Sequence, residues 1–166
     1  MTSSKRQMKS AARLYAVQAL FQMEVSGQTA EAVEREFEDH RFGAVYEGEE
    51  MVEGDVDLFR RLVGDAVNEQ ARLDQMTDRA FVTQRPPRRI LLPHPALFRA
   101  AGAELVGGKT PPKVVITEFV DIARAFHLTR AHDAVFGPAT DGGFWLVGLR
   151  HPNRTPAGLF ADFVSI

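Results

Sequence analysis

SAARLYAVQALFQMEVSG, residues 10–27, decides the fold class. Leu14, Val17, Leu20, Phe21 and Met23 fall at helical spacing, and Gly27 closes the segment as a C′ glycine. Downstream, Thr29 caps a second helix that carries Val33 and Phe37 at i, i+4. Residues 38–54 are acidic and contain glycine, and read as a solvated loop. The clearest helical stripe follows at 55–73, marked by Phe59, Leu62, Val63, Ala66, Val67 and Leu73, with Asp55 and Asp57 near its positive N-terminal end. A further short helix runs through Met76 and Phe81. The prolines of RPPRRILLPHP (85–95) make that segment a connection. Pro95 fits the first turn of a helix over 96–105, which Gly107 and Gly108 terminate. Thr110 caps a last helix starting at Pro111 or Pro112. Its stripe is Val115, Phe119, Ile122 and Phe126, with Ile116, Val120 and Ala123 beside it. Amphipathic helices joined by short connections predict an all-α bundle.

Composition narrows the function class. The 166 residues are 45% hydrophobic and 25% charged, an ordinary globular balance with length enough for one sizeable core. No run of ~20 apolar residues occurs, so no transmembrane helix is expected. The first residues lack the apolar region and cleavage site of a secretory signal. Cysteine is absent, which excludes disulfides, thiolate metal sites and a cysteine nucleophile. A cytoplasmic protein is the expectation. After residue 128 the character changes: FWLVGL (144–149) reads as a buried strand, Ala134-Val135-Phe136 as a weaker one, and Asp141-Gly142-Gly143 as the turn between them.

Enzyme motifs are missing. There is no Walker or Rossmann glycine loop, no HExxH and no G-x-S-x-G. His40, His94, His127, His132 and His151 show no ligand spacing, so neither a metal nor a cofactor is expected. The acids of 31–57 read as a solvated face rather than a catalytic dyad.

Charge segregation says more than the net −2. Residues 1–23 hold Lys5, Arg6, Lys9 and Arg13 and no acid; residues 24–57 hold twelve acids and two bases; residues 79–103 hold five arginines and no acid. A neutral total can thus hide a basic footprint. Lys9 and Arg13 are i, i+4 and share a helix face if the first helix starts that early. Such a segment can neutralise phosphates and release counterions. Gln18 can hydrogen-bond a base edge. Tyr15 can stack on an unpaired base or pack half-buried in the protein.

Four blocks in order, SAARLYAVQALFQMEVSG (10–27), DLFRRLVGDAVNEQARLD (57–74), LFRAAGAEL (97–105) and PKVVITEFVDIARAF (112–126), resemble the NusB family of bacterial transcription antitermination factors over roughly residues 8–127. The resemblance implies an all-α fold of two perpendicular small helical bundles and no enzymatic activity. It implies binding of boxA-type single-stranded RNA in ribosomal RNA transcripts, with the ribosomal small-subunit protein NusE as partner, inside the RNA polymerase antitermination complex. Lys9 and Arg13 match basic positions of the RNA-binding face, Ser10 and Ala11 replace arginines often found there, and Lys5 and Arg6 lie further out. Phe21 takes a tyrosine position, keeping the ring without the hydroxyl. Glu104 and Leu105 match a Glu-Leu pair. Glu118 and Asp121 match polar positions near the RNA and partner surface. The implied RNA-binding set is therefore Lys5, Arg6, Lys9, Arg13, Tyr15 and Gln18. The implied partner-binding set is Phe21, Glu104, Glu118 and Asp121.

The chain departs from that pattern twice. TQRPPRRILLPHP replaces a Trp/Leu-rich turn, which is expected to shorten the preceding helix. The family's final helix is absent, which is expected to expose apolar surface on the helix over 112–126. In its place, DAVFGPATDGGFWLVGLR (133–150) resembles an internal segment of a glycosyltransferase-A-like family related to nucleotidyltransferases. That family's nucleotide-binding first strand and loop have no counterpart, so its activity does not carry over. The expected organisation is a helical RNA-binding domain over 1–127 and an appended tail over 128–166 that does not form a domain alone. Two alternatives remain: a helical interaction scaffold without RNA affinity, and a transferase-like fragment that binds nucleotide through Asp141.

Overall fold

The computed structural model describes residues 4–46, 48–84, 95–131, 134–138 and 144–149. Among them the chain is six helices with two short strand pairs, an all-α fold. Helix α1 (Lys5–Ser26) begins earlier than its apolar stripe, because Ser4 and Gln7 form a capping box. The Gln7 N–H donates to the Ser4 hydroxyl at 3.3 Å, and the Ser4 N–H donates to the Gln7 side chain at 2.7 Å. Gly27 ends the helix at φ 70°, a conformation that favours glycine. Thr29 caps α2 (Ala30–His40), which buries Val33 and Phe37.

Two of the expected boundaries move. The acidic stretch is not wholly a loop: α2 runs into it, and β1 (Val45–Tyr46) pairs antiparallel with β2 (Glu49–Glu50). The single helix expected over 55–73 is two. Asp55 caps α3 (Val56–Asn68), and Glu69 breaks the helix at φ −103°, ψ 13° before α4 (Gln70–Gln84). The break turns Val67 outward to solvent while Leu73 enters the core from α4. A stripe read as continuous therefore belongs to two helix axes. Helix α4 has fifteen residues up to Gln84, and the proline segment that follows lies outside the described residues up to Pro95.

Helix α5 (Pro95–Gly107) is followed by Gly108 at φ 64° and then by α6 (Pro112–Ala131). Thr110 does not serve as the expected cap; its hydroxyl donates instead to the Glu104 carboxylate. Val115, Phe119 and Ile122 are buried as expected, but Phe126 is 38% exposed and Ala125 takes the inward place. Ile116 is 56% exposed, and Val120 is also exposed, so apolar surface is open on this helix. Beyond α6, β3 (Ala134–Pro138) pairs antiparallel with β4 (Phe144–Leu149), Phe136 opposite Val147. Both expected strands are thus present, and the Asp141-Gly142-Gly143 turn lies outside the described residues. The strand pair touches α6, and β4 also touches α1.

Helix α1 is the centre of the molecule. Residues Ala11 to Val17 are all buried, and α1 packs on α2, α3, α5 and α6. Small residues on α5 (Ala96, Ala100, Ala103) let it approach α1, α3 and α4 closely. Against α1, four rings form a second focus. Tyr15 stacks on Phe42 at 5.0 Å, Phe42 meets Phe59 edge-on at 5.1 Å, and Phe59 stacks on Phe37 at 5.8 Å. Such ring pairs add about 0.5–1.5 kcal/mol each beyond burial.

Candidate nucleic-acid interface

The first three turns of α1 carry Lys5, Arg6, Lys9 and Arg13, so these residues belong to a rigid helix and not to a free arm. Lys5, Arg6 and Lys9 are exposed. Arg13 is not: it is 3% exposed and is spent inside the protein. Its guanidinium donates to both Glu104 carboxylate oxygens, at 2.8 and 2.7 Å, and lies 3.5 Å from Glu118. Thr110 adds a third donor to Glu104 at 2.7 Å. Burial by itself would raise the Glu104 carboxyl. The hydrogen bonds from Arg13 and Thr110, with the charges of Arg13 and Arg61, outweigh it and hold the group below the ordinary carboxylate value.

The expectation that Arg13 contacts phosphate and Glu104 a protein partner is therefore corrected. Each neutralises the other in the interior. Tyr15 is corrected likewise. It is 2% exposed, its hydroxyl donates to the Val52 carbonyl at 2.8 Å, and its ring is stacked on Phe42, so no face is open to a base. Burial pushes the Tyr15 hydroxyl up to about 12, against a smaller downward pull from Arg41.

The other expected residues fall in two places. Gln18 is half-buried on α1, and Phe21, one turn further on, is 47% exposed. Glu118 is half-buried beside Arg13, while Asp121 is exposed and lies 3.5 Å from Arg124 on the same helix. In the arginine-rich stretch, Arg99 is structural. It donates to Asp74 at 2.8 and 2.9 Å and lies 3.5 Å from Glu24, joining α5 to α4 and α1. Arg85, Arg88 and Arg89 lie outside the described residues, as does Asp141. Among the described residues no three potential metal ligands gather, and no helix is long and apolar enough to cross a membrane.

Beside the buried pair the surface opens into a groove of about 250 Å³. It is lined by Lys5, Lys9 and Arg13 of α1, by Asp55, Asp57 and Arg61 at the start of α3, and by Lys109 and Thr110 of the α5–α6 turn. Three hydrogen-bonded ties fix these walls. The Asp55 N–H donates to the Met8 carbonyl at 3.0 Å, joining α3 to α1. Arg13 and Glu104 join α1 to α5, and Thr110 joins the α5–α6 turn to Glu104. Sequence reasoning missed Arg61 and Lys109, which are 48 positions apart and meet only in the fold. The available signal for Arg61 was its place beside, not on, the α3 apolar stripe.

Comparison with known proteins gives two matches to family models. Residues 10–135 match the NusB family, and residues 117–164 match a family described as an uncharacterized protein conserved in bacteria (DUF2064). The second stretch contains the whole of the block 133–150 read as transferase-like. Among curated relatives, the transcription antitermination protein NusB of Maricaulis maris is 42% identical over 126 residues, covering 75% of this chain and 79% of the relative. That of Nitrobacter hamburgensis is 42% identical, covering 74% and 77%. That of Caulobacter vibrioides is 39% identical, covering 76% and 85%. No solved structure gives a significant match.

Proposed function

The chain belongs to the NusB family, which consists of non-catalytic transcription antitermination factors, and from that premise we propose that it binds boxA-type single-stranded RNA of ribosomal RNA transcripts. The observation that carries this reading is the exposed lysine–arginine face of α1, with Lys5, Arg6 and Lys9 on two successive turns. These cations contact phosphates, and Gln18 is the remaining candidate for a base edge. Arg13 acts as a positioning residue, since its bond to Glu104 sets where α1 stands against α5.

The partner is the ribosomal small-subunit protein NusE, within the RNA polymerase antitermination complex in the cytoplasm. Phe21 and Asp121 are exposed, Asp121 beside Arg124, and Glu118 presents a partly open carboxylate. The helical unit over 1–127 is the RNA-binding domain. Residues 128–166 are the appended segment, a reading supported by the separate strand pair β3–β4 beyond α6 and its contacts with α6; α6 itself continues past residue 127 to Ala131.

Fluorescence anisotropy of the chain with a boxA RNA and a scrambled RNA, at several salt concentrations, tests this. Preference for boxA with a steep salt dependence is expected. Equal, weak binding to both would leave a basic surface and no antitermination-type recognition.

A further inference from the structure

We propose that Arg61 and Lys109 form a second cationic wall of the groove that Lys5 and Lys9 line, so that cations from three elements grip the sugar-phosphate backbone of the RNA. This rests on the RNA-binding reading and extends it to residues on two other elements. Lys109 is held at the rim by its neighbours, because Gly108 turns the chain at φ 64° and Thr110 is anchored to buried Glu104 at 2.7 Å. Arg61 rises from α3, whose start is tied to α1 through Asp55 and Met8.

Among the described residues, no ion pair takes up Lys5, Lys9, Arg61 or Lys109. Asp55 and Asp57 reduce the charge of the lining, and the Asp55 carboxylate is committed to the Leu58 N–H at 2.9 Å. Arg13 adds nothing to the field, being cancelled by Glu104. Lys5, Lys9 and Lys109 are exposed and Arg61 is half-buried; these four cations against two carboxylates leave the lining net positive. An extended polyanion suits this arrangement because its phosphates repeat along a strand and can meet cations on separate walls, whereas a compact anion would meet Asp55 and Asp57 as well.

Contacts of this kind carry no sequence information, so they strengthen binding to any single strand. The test is the double variant Arg61→Gln/Lys109→Gln, measured by anisotropy against boxA and scrambled RNA over a salt series. Lys109→Gln alone serves as a second variant, because Lys109 is exposed and its loss spares the fold. Arg72→Gln is the control, since Arg72 is exposed on α4 and does not line the groove. The double variant is expected to lose affinity for both RNAs by the same factor. Its slope of log affinity against log salt should shrink by about 1.4, at ~0.7 per phosphate contact on a single strand; Lys109→Gln should show about half of that. If the unaltered chain binds RNA and the double variant matches it in affinity and slope, the second wall is overturned while the α1 reading stands. If the unaltered chain binds neither RNA, the RNA-binding reading itself has failed.

Discussion

Arg13 of α1 and Glu104 of α5 are 91 positions apart in the chain and meet through paired hydrogen bonds of 2.7 and 2.8 Å in the interior. A planar guanidinium against a carboxylate fixes both distance and angle, so the pair orients two helices as well as joining them. Glu104 also receives Thr110, and among the described residues no buried side-chain polar atom lacks a partner. The charges that a surface reading assigns to RNA and to a protein partner are instead the hinge pin of the fold.

Removing one side of the pair leaves the other charge buried. Glu104→Ala should lower stability by about 3–5 kcal/mol. Urea denaturation checks this, and a loss below about 1 kcal/mol would mean that water reaches Arg13 freely.

Acid should act on the same group. A carboxyl held below its ordinary value in the folded state gives stability that is complete above the unfolded value, near 4.3, and that fades as pH falls through the folded value. The chain should lose stability on acidification below about pH 4.5. Glu104→Gln should start from a lower plateau and show a shallower decline. Parallel declines in the two proteins would assign the acid sensitivity to other carboxylates.

Alkali should act through Tyr15. With its hydroxyl raised to about 12 from an ordinary value near 10, its contribution is whole below pH 10 and is lost as pH rises toward 12. The raised value corresponds to roughly 2–3 kcal/mol. The chain has two tyrosines. Absorbance titration should show one phenol ionising late, together with unfolding, and Tyr15→Phe should remove that late phase.

Gly54 lies against the ring cluster. A Cβ there would stand 2.7–3.0 Å from three atoms of the Phe42 ring, which Tyr15 and Phe59 hold in place. Gly54→Ala should cost about 1–3 kcal/mol by overpacking. Thermal melting of Gly54→Ala beside Gly64→Ala, where a Cβ meets open space, separates the clash from the glycine effect.

Helix periodicity made most of the architecture legible, because apolar spacing on α1, α2, α3 and α6 reports which face is buried. It fails where one stripe spans two axes, as at Glu69, since spacing cannot register a change of helix direction. The strand pair was also legible, from a glycine-bounded apolar run. The site was legible only in part. Lys5, Arg6 and Lys9 could be found from charge alone, but Arg13 looks like them until Glu104 is brought beside it. Arg61 and Lys109 come to line one groove only when α3 and the α5–α6 turn close on α1. Charge pattern reports what a residue is; only tertiary pairing reports whether that charge is still available.

That distinction separates two roles for Arg13 experimentally. Replacing both members of a buried pair with apolar side chains of similar size is often neutral or stabilising, by up to about 4 kcal/mol, because two desolvation costs disappear together. In Arg13→Met/Glu104→Leu, Glu118 loses a neighbour at 3.5 Å but stays partly open to water. The double variant should therefore be far more stable than Glu104→Ala. Its RNA salt slope should equal that of the unaltered chain, because Glu104 already neutralises the charge removed. A slope smaller by about 0.7 would mean that Arg13 leaves Glu104 to bind a phosphate. The buried pair would then be the free-state partner of a switching residue rather than a fixed clamp.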